Sequence, residues 1–324
     1  MPITPTPKDT VLTDGTAKLY RFRRANGAAA AKGLPLLLVP SLINRWYVLD
    51  LRSGASVASA LVDAGLDVFC LDWGVPNDED RYLSWDDVVA RLSRMVRRVK
   101  RETGANQIGL LGYCIGGTLT AIHTALEPDS IAALVNLAGP IDFSEGGFLA
   151  HMTNPRWFDP EAIASAGNMR AEQMQAGFVA LRPTSQLSKW VSFFDRLTDP
   201  ERLEAFQALE EWASANIAFP AEAYVKYIRE LYQQNALICG EHAIGARRVD
   251  LAKIRCPLLT VVTDRDTICP PKAAQALGTH SSSEDQQLLV IPGGHVGAVV
   301  GGRAPKELYP KLASWLLDKL GKDS

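Results

Sequence analysis

Residues 107–126, QIGLLGYCIGGTLTAIHTAL, read as a short apolar strand, a tight turn with glycines on both sides of a cysteine, and a helix. The turn, Gly112-Tyr113-Cys114-Ile115-Gly116, has the form G-x-nucleophile-x-G, with cysteine where serine is usual. A side chain thrust off a strand end on so sharp a turn leaves no room for Cβ atoms where strand and helix pass closest, hence the glycines. The thiol then stands at a helix N-terminus, where peptide dipoles favour both a thiolate and a developing oxyanion. What remains to be found is a base, an acid and an oxyanion hole for Cys114.

Working outward, the chain alternates strand and helix. LPLLLVP at 34–40 and DVFCLDW at 67–73 are unbroken apolar runs, expected of strands buried on both faces of a parallel sheet. KLYRF at 18–22 alternates like a first strand, and the polar, proline-rich residues 1–17 read as a loose lead-in. Residues 53–64 suggest a helix. A second opens at the Ser84 cap and carries Val88, Leu92, Val96 and Val99 at helical spacing.

Downstream, IAALVNL at 131–137, PLLTVVT at 257–263 and QQLLVI at 286–291 read as further strands, and a helix over 305–320 closes the chain. This rhythm predicts an α/β architecture with a doubly wound, mostly parallel sheet that carries its site at the carboxyl ends of the strands, and the form of the elbow resembles that of the α/β-hydrolase fold. The alternation breaks over 143–249, which is rich in aromatic residues and short helical segments. That stretch reads as an inserted helical cap (lid), leaving 18–142 and 250–324 as the core. Aromatics at helical spacing usually belong to a core, and together they would close a dry, apolar pocket over the elbow.

Composition narrows the function classes. Of 324 residues, 47% are hydrophobic and 22% charged, ordinary for a globular protein, and the net charge of −2 gives no electrostatic reason to expect nucleic acid or an anionic membrane. No apolar run approaches the ~20 residues of a membrane span, and the N-terminus does not read as a signal peptide. The five cysteines include no C-x-x-C pair and no cluster at metal spacing. A cytoplasmic protein with reduced thiols and no metal is the expectation.

The partners for Cys114 follow from order along the chain. An aspartate after the next-to-last strand and a histidine after the last give the nucleophile–acid–base order of α/β-hydrolases. His295, in Pro292-Gly293-Gly294-His295, is the expected base, and Asp266 the acid that orients it. Asp264 and Asp142 are alternative acids. The N–H of Ile115 is one expected oxyanion donor, and the backbone of Leu42 or Ile43 in the loop after LPLLLVP the second. A lone cysteine near a strand end is more often a small core hydrophobe, which is the reading for Cys70, Cys239 and Cys256, and Cys269 is expected to pack beside the site without reacting. His123, His151, His242 and His280 have no place in the pattern and read as surface or core residues.

With those residues in hand, the chain resembles the polyhydroxyalkanoate synthases, particularly the short class III and class IV catalytic subunits. The elbow is similar to the family's G-x-C-x-G-G box, residues 44–51 to its N-[RK]-x-Y-x-L-D-L segment, and Asp72-Trp73-Gly74-x-Pro76 to its D-W-G-x-P. Within the cap, Phe178-Val179-Ala180-Leu181-Arg182-Pro183, the Glu210-x-Trp212 pair and Leu231-Tyr232-Gln233-Gln234-Asn235 match as well. Asp266-x-Ile268-x-Pro270-Pro271 and Gly293-Gly294-His295-Val296-Gly297 complete the likeness, which spans roughly residues 36–317.

The resemblance implies acyl transfer from (R)-3-hydroxyacyl-coenzyme A to a growing polyester, with coenzyme A as part of the substrate and leaving group and no separate cofactor. It also implies a homodimer, a separate helical partner subunit for the short classes, and a place at the surface of polyester granules. Departures from the family pattern include Ser214–Pro220 (SANIAFP), nearer class I and IV than class III, and three single positions. Thr267 stands where a histidine is common, and Tyr113 and Ile115 flank the cysteine where class III has smaller or polar residues. A cysteine-dependent hydrolase on the same scaffold (thioesterase, dienelactone-hydrolase-like enzyme or intracellular depolymerase) is the alternative function. A non-catalytic granule-surface protein is a third.

Overall fold

The apolar runs become the centre of an eight-stranded sheet in the computed structural model, which describes residues 3–24, 31, 33–181 and 199–321. In chain order the strands are β1 (Lys8–Asp14), β2 (Ala17–Phe22), β3 (Leu36–Val39), β4 (Asp50–Arg52), β5 (Ala55–Ser56), β6 (Val68–Asp72), β7 (Ile108–Tyr113), β8 (Ile131–Leu137), β9 (Ala243–Ile244), β10 (Arg247–Arg248), β11 (Leu258–Thr263) and β12 (Gln286–Ile291). The large sheet runs β1-β2-β6-β3-β7-β8-β11-β12, and β4–β5 and β9–β10 are separate two-stranded ribbons. From β6 to β12 every pairing is parallel; β1 and β2 join antiparallel. Every residue of β3, β7 and β11 is buried, as both-face coverage by helices requires.

The helices are α1 (Val57–Ala64), α2 (Trp85–Thr103), α3 (Ile115–Leu126), α4 (Gly147–Met152), α5 (Pro160–Ala164), α6 (Ala171–Leu181), α7 (Pro200–Ser214), α8 (Ala221–Lys226), a π-helical stretch (Tyr227–Gln233), α9 (Pro271–His280), α10 (Gly297–Val300), α11 (Ala304–Glu307) and α12 (Tyr309–Leu320). Ser84 caps α2 in a reciprocal capping box with Asp87. The buried face of α2 carries Val88, Leu92, Val96 and Val99, as the spacing predicts.

Four expectations need correction. Residues 1–17 are not simply a loose lead-in: β1 occupies Lys8–Asp14 and pairs with β2, through a turn in which Gly15 takes φ +62. An edge strand with one solvated face carries mostly polar residues, so KDTVLTD has too little apolar signal to stand out. The helix expected over 53–64 starts only at Val57, capped by Ser56, because the residues before it form the β4–β5 ribbon. The closing helix is two helices, α11 and α12, since Pro310 cannot donate the backbone bond that would continue the first into the second. Cys239 is exposed and not a core residue.

Residues 143–249 carry helices and the β9–β10 ribbon, with no strand of the large sheet among those described. Trp212, Phe219, Tyr224 and Tyr227 are buried and share one apolar cluster with the sheet, whereas Trp157 is 56% exposed. Trp190, Phe193, Phe194, Arg182 and Pro183 lie outside the described residues. So does the side chain of Phe178.

Candidate active site

The elbow is set by close packing. A Cβ at Gly116 would lie 2.0 Å from the Val39 carbonyl oxygen and 2.7 Å from that of Pro40, so α3 starts in contact with the end of β3 only because nothing stands there. Cys114, between β7 and α3, is held at φ +56, ψ −129, a region that non-glycine residues rarely occupy. Its N–H donates to the Leu137 carbonyl at 3.0 Å and its carbonyl accepts from Gly117 N–H at 2.8 Å. The strained turn is therefore tied at both ends. It projects the thiol into a cavity of about 440 Å³ lined by Ile43, Ile115 and residues of the 143–249 segment.

His295 and Asp266 are brought together from strand ends. His295 Nδ1 lies 2.7 Å from Asp266 Oδ2, and both residues are buried. The Asp266 carboxylate also accepts from Thr263 Oγ1 at 3.1 Å and from the N–H groups of Ile268 and Cys269, each at 2.9 Å. Burial pushes this carboxyl up, but the hydrogen bond and charge of His295 and the two N–H donors outweigh it, leaving the pKa below the ordinary aspartate value.

With Nδ1 committed to Asp266, the second nitrogen of His295 is the one available for proton transfer. Nε2 is buried and makes no close hydrogen bond among the described residues. Burial alone would pull the imidazole pKa down. The nearby Cys114 sulfur and then the Asp266 hydrogen bond reverse this and raise it to about 10. A hydrogen-bonding contribution from Cys114 adds to this, so the sulfur lies within reach of the ring.

Tyr113, a departure from the family pattern, has a structural role. Its ring stacks on His295 with centroids 5.2 Å apart and planes at 27°, and its hydroxyl donates to the His295 carbonyl at 3.3 Å. Sequence reading missed this because the two residues are 182 positions apart. Asp264 does not face the imidazole. It accepts from Gly293 N–H at 2.7 Å and so ties the loop before His295 to the loop that carries Asp266. Asp142 is engaged with Ser144 and with Asn235 Nδ2 at 2.8 Å.

The loop after β3 is clamped from the far side. Asn44 donates to Asn216, Trp212 Nε1 to the Arg45 carbonyl at 2.9 Å, and Ile217 N–H to the Ile43 carbonyl at 3.2 Å. Of the two expected second donors, Ile43 lines the cavity with Cys114 and Ile115, while Leu42 is buried outside its lining. Cys269 also lines the cavity, its thiol pushed well up by burial and by its neighbours Asp266 and Cys114, so it stays protonated.

Sheet order, elbow and strand-end residues together define an α/β-hydrolase-fold protein, and that family matches residues 35–301. Solved structures agree at the level of fold. Est1E from Butyrivibrio proteoclasticus with bound ferulic acid superposes with a TM-score of 0.59 at 16% identity, covering 97% of this chain and all of that one. The thioesterase domain from the curacin biosynthetic pathway gives 0.52 at 14%, covering 96% and 99%.

Sequence likeness goes further. The chain is 34% identical to the poly(3-hydroxyalkanoate) polymerase subunit PhaC of Allochromatium vinosum over 97% of its own length and 89% of that protein's. It is 31% identical to the Synechocystis sp. subunit of the same name over 97% and 85%. The chain belongs to the poly(3-hydroxyalkanoate) polymerase family, and is an acyltransferase of α/β-hydrolase fold. Among the described residues no helix is long and apolar enough to cross a membrane.

Proposed function

We propose that the chain polymerises (R)-3-hydroxyacyl groups from coenzyme A thioesters through a covalent Cys114 acyl-thioester. Cys114 attacks the thioester carbonyl. His295 takes the thiol proton and later returns it to the departing coenzyme A thiolate. Asp266 holds the imidazole in the Nδ1–H tautomer and stabilises its protonated form. The oxyanion of each tetrahedral intermediate is received by the N–H of Ile115 and by a backbone N–H of the loop after β3, with Ile43 favoured over Leu42 by its place in the cavity. One thioester is exchanged for another, so the acyl group keeps its transfer potential. In the second half-reaction His295 removes the proton of a 3-hydroxyl as that oxygen attacks the Cys114 thioester carbonyl; the C–S bond breaks, the ester link forms, and His295 returns the proton to the released Cys114 sulfur. Coenzyme A is substrate and leaving group, and the scheme uses no further cofactor.

The observation that carries this reading is the cysteine elbow opening into an apolar cavity beside the Asp266–His295 pair. An apolar enclosure keeps water from the acyl-enzyme, which would otherwise be hydrolysed. The homodimer, the separate helical partner subunit and the granule surface rest on family likeness alone. Light scattering of the purified chain, alone and with candidate helical subunits, tests the first two.

The deciding experiment supplies purified protein with (R)-3-hydroxybutyryl-coenzyme A and follows free thiol and product size together. Coenzyme A release accompanied by turbidity and high-mass polyester is expected. Release with only free 3-hydroxybutyrate would make the protein a thioesterase and overturn the proposal.

A further inference from the structure

The cavity around Cys114 is short of polar groups, and two of those it has are engaged with the backbone. Thr153 Oγ1 donates to the Leu149 carbonyl at 2.9 Å, and Gln173 turns its side-chain carbonyl to the Arg170 N–H at 3.0 Å. Three tyrosines also line the cavity, Tyr224, Tyr227 and Tyr232. Burial alone raises the Tyr224 pKa, whereas Tyr227 and Tyr232 are raised by burial and then by charges that include Cys114 and Cys269. The latter two therefore lie within electrostatic range of the Cys114 sulfur, across the cavity that all of them line. Both stay protonated at physiological pH and hydrogen-bond to each other, so the pair offers the cavity the remaining O–H as a donor.

The backbone explains why two tyrosines five residues apart serve one spot. At 3.6 residues per turn, positions 227 and 232 would fall about 140° apart around an α-helix. Tyr227–Gln233 is instead π-helical, with i→i+5 bonding, which brings them onto one side. Their rings meet edge-to-face, with centroids 5.6 Å apart. Phe143 packs on both, at 5.8 and 4.8 Å, and Trp85 supports Tyr227 at 5.2 Å. Asn235, just past the π-helical stretch, anchors it by accepting from Phe143 N–H at 2.9 Å and donating to Asp142. The rings are fixed by packing, and neither hydroxyl donates to a backbone group among the described residues.

We infer that the Tyr227–Tyr232 hydroxyl pair binds the 3-oxygen of the acyl group, and so makes the enzyme demand a 3-hydroxyacyl thioester over an unsubstituted one. This rests on the acyl transfer proposed above and adds its selectivity. A hydroxyl taken into an apolar cavity without a partner is strongly disfavoured, and donors left empty by a substrate that lacks the oxygen are disfavoured too. The pair answers both. It steers the 3-hydroxyacyl chain to Cys114 and leaves a plain fatty acyl chain poorly held.

The test measures single-turnover acylation of Cys114, by coenzyme A release and intact mass, with (R)-3-hydroxybutyryl-coenzyme A and with butyryl-coenzyme A. Wild type is compared with Tyr232→Phe, Tyr227→Phe and the double variant, each checked for an unchanged melting temperature. The double variant should lose at least about tenfold in its preference for the hydroxylated substrate, with butyryl transfer changed by less than about twofold. Equal losses on both substrates, or an unchanged preference, would overturn the inference while leaving the acyl-transfer reading in place. If wild type is acylated by neither thioester, both fall together. If the double variant does not fold, the two single variants decide by the same ratio.

Discussion

Among the described residues, two buried histidines, His295 and His242, meet carboxylates through the same first contact and have different ends. His295 Nδ1 meets Asp266 at 2.7 Å, and His242 Nδ1 meets Glu230 at 2.7 Å. The difference lies at the other nitrogen. His242 Nε2 accepts from Trp85 Nε1 at 3.2 Å, which closes the pair into a brace between α2 and the π-helical stretch. His295 Nε2 makes no close hydrogen bond among the described residues, and the group that acts on the ring there is Cys114, which faces a cavity. A carboxylate–histidine pair is therefore no mark of a reaction by itself. What marks one is a buried imidazole nitrogen held open toward a nucleophile, because satisfying it would remove the proton acceptor.

The contrast breaks most sharply when each histidine is removed. His295→Ala should lower coenzyme A release by on the order of 10⁴-fold with little change in melting temperature. His242→Ala should keep turnover within about threefold but lower stability by about 2 kcal/mol, since a buried indole N–H loses its acceptor. Steady-state assays and urea unfolding on the same samples check both. A His242→Ala enzyme as inactive as His295→Ala would erase the distinction.

Asp266→Asn comes next, with a loss of about 10²-fold or more as the imidazole loses its orienting charge. Its stability signature depends on pH. The raised pKa of His295 contributes stability that is complete below the ordinary histidine value of ~6.5 and lost as pH rises through about 10. The lowered pKa of Asp266 contributes stability present above ~3.9 and lost as pH falls through its folded value. The melting-temperature gap between wild type and Asp266→Asn should be widest between about pH 4 and about pH 6.5, where both contributions are complete, and narrow at both extremes. Calorimetry from about pH 2 to about pH 10.5 shows whether it does.

Trp85→Phe sharpens the comparison from the other side by opening His242 Nε2. Stability should fall by about 1 kcal/mol in chemical denaturation, and no new reactivity should appear, because no thiol faces that nitrogen. The smallest effect belongs to Tyr113→Phe, which keeps the stacked ring and removes the hydroxyl bond to the His295 carbonyl. A drop of about threefold in kcat with KM unchanged is expected, and an equal rise in KM would point to substrate binding instead.

Much of this site was legible because its causes are local. The G-x-C-x-G turn requires glycines within a few residues of the nucleophile, and unbroken apolar runs announce strands covered on both faces. Other features left weak traces or none. The β1 strand is half solvated and reads as polar, and the break at Pro310 sits inside a good helical pattern. Cys239 has apolar neighbours in sequence and water in space.

The sequence by itself determined the order of the candidate site residues along the chain: a cysteine elbow, aspartates after the next-to-last strand, and a histidine after the last. Strand, turn and helix signals are short-range, so one chain suffices to read them. Only the tertiary structure decided which aspartate faces His295, with Asp266 at the imidazole and Asp264 serving the loop instead. It alone set Tyr113 against His295 and turned two tyrosines of the π-helical stretch toward the cavity of Cys114. Those relations join residues about 30 to 180 positions apart, and their geometry exists only once the sheet has brought its strand ends together.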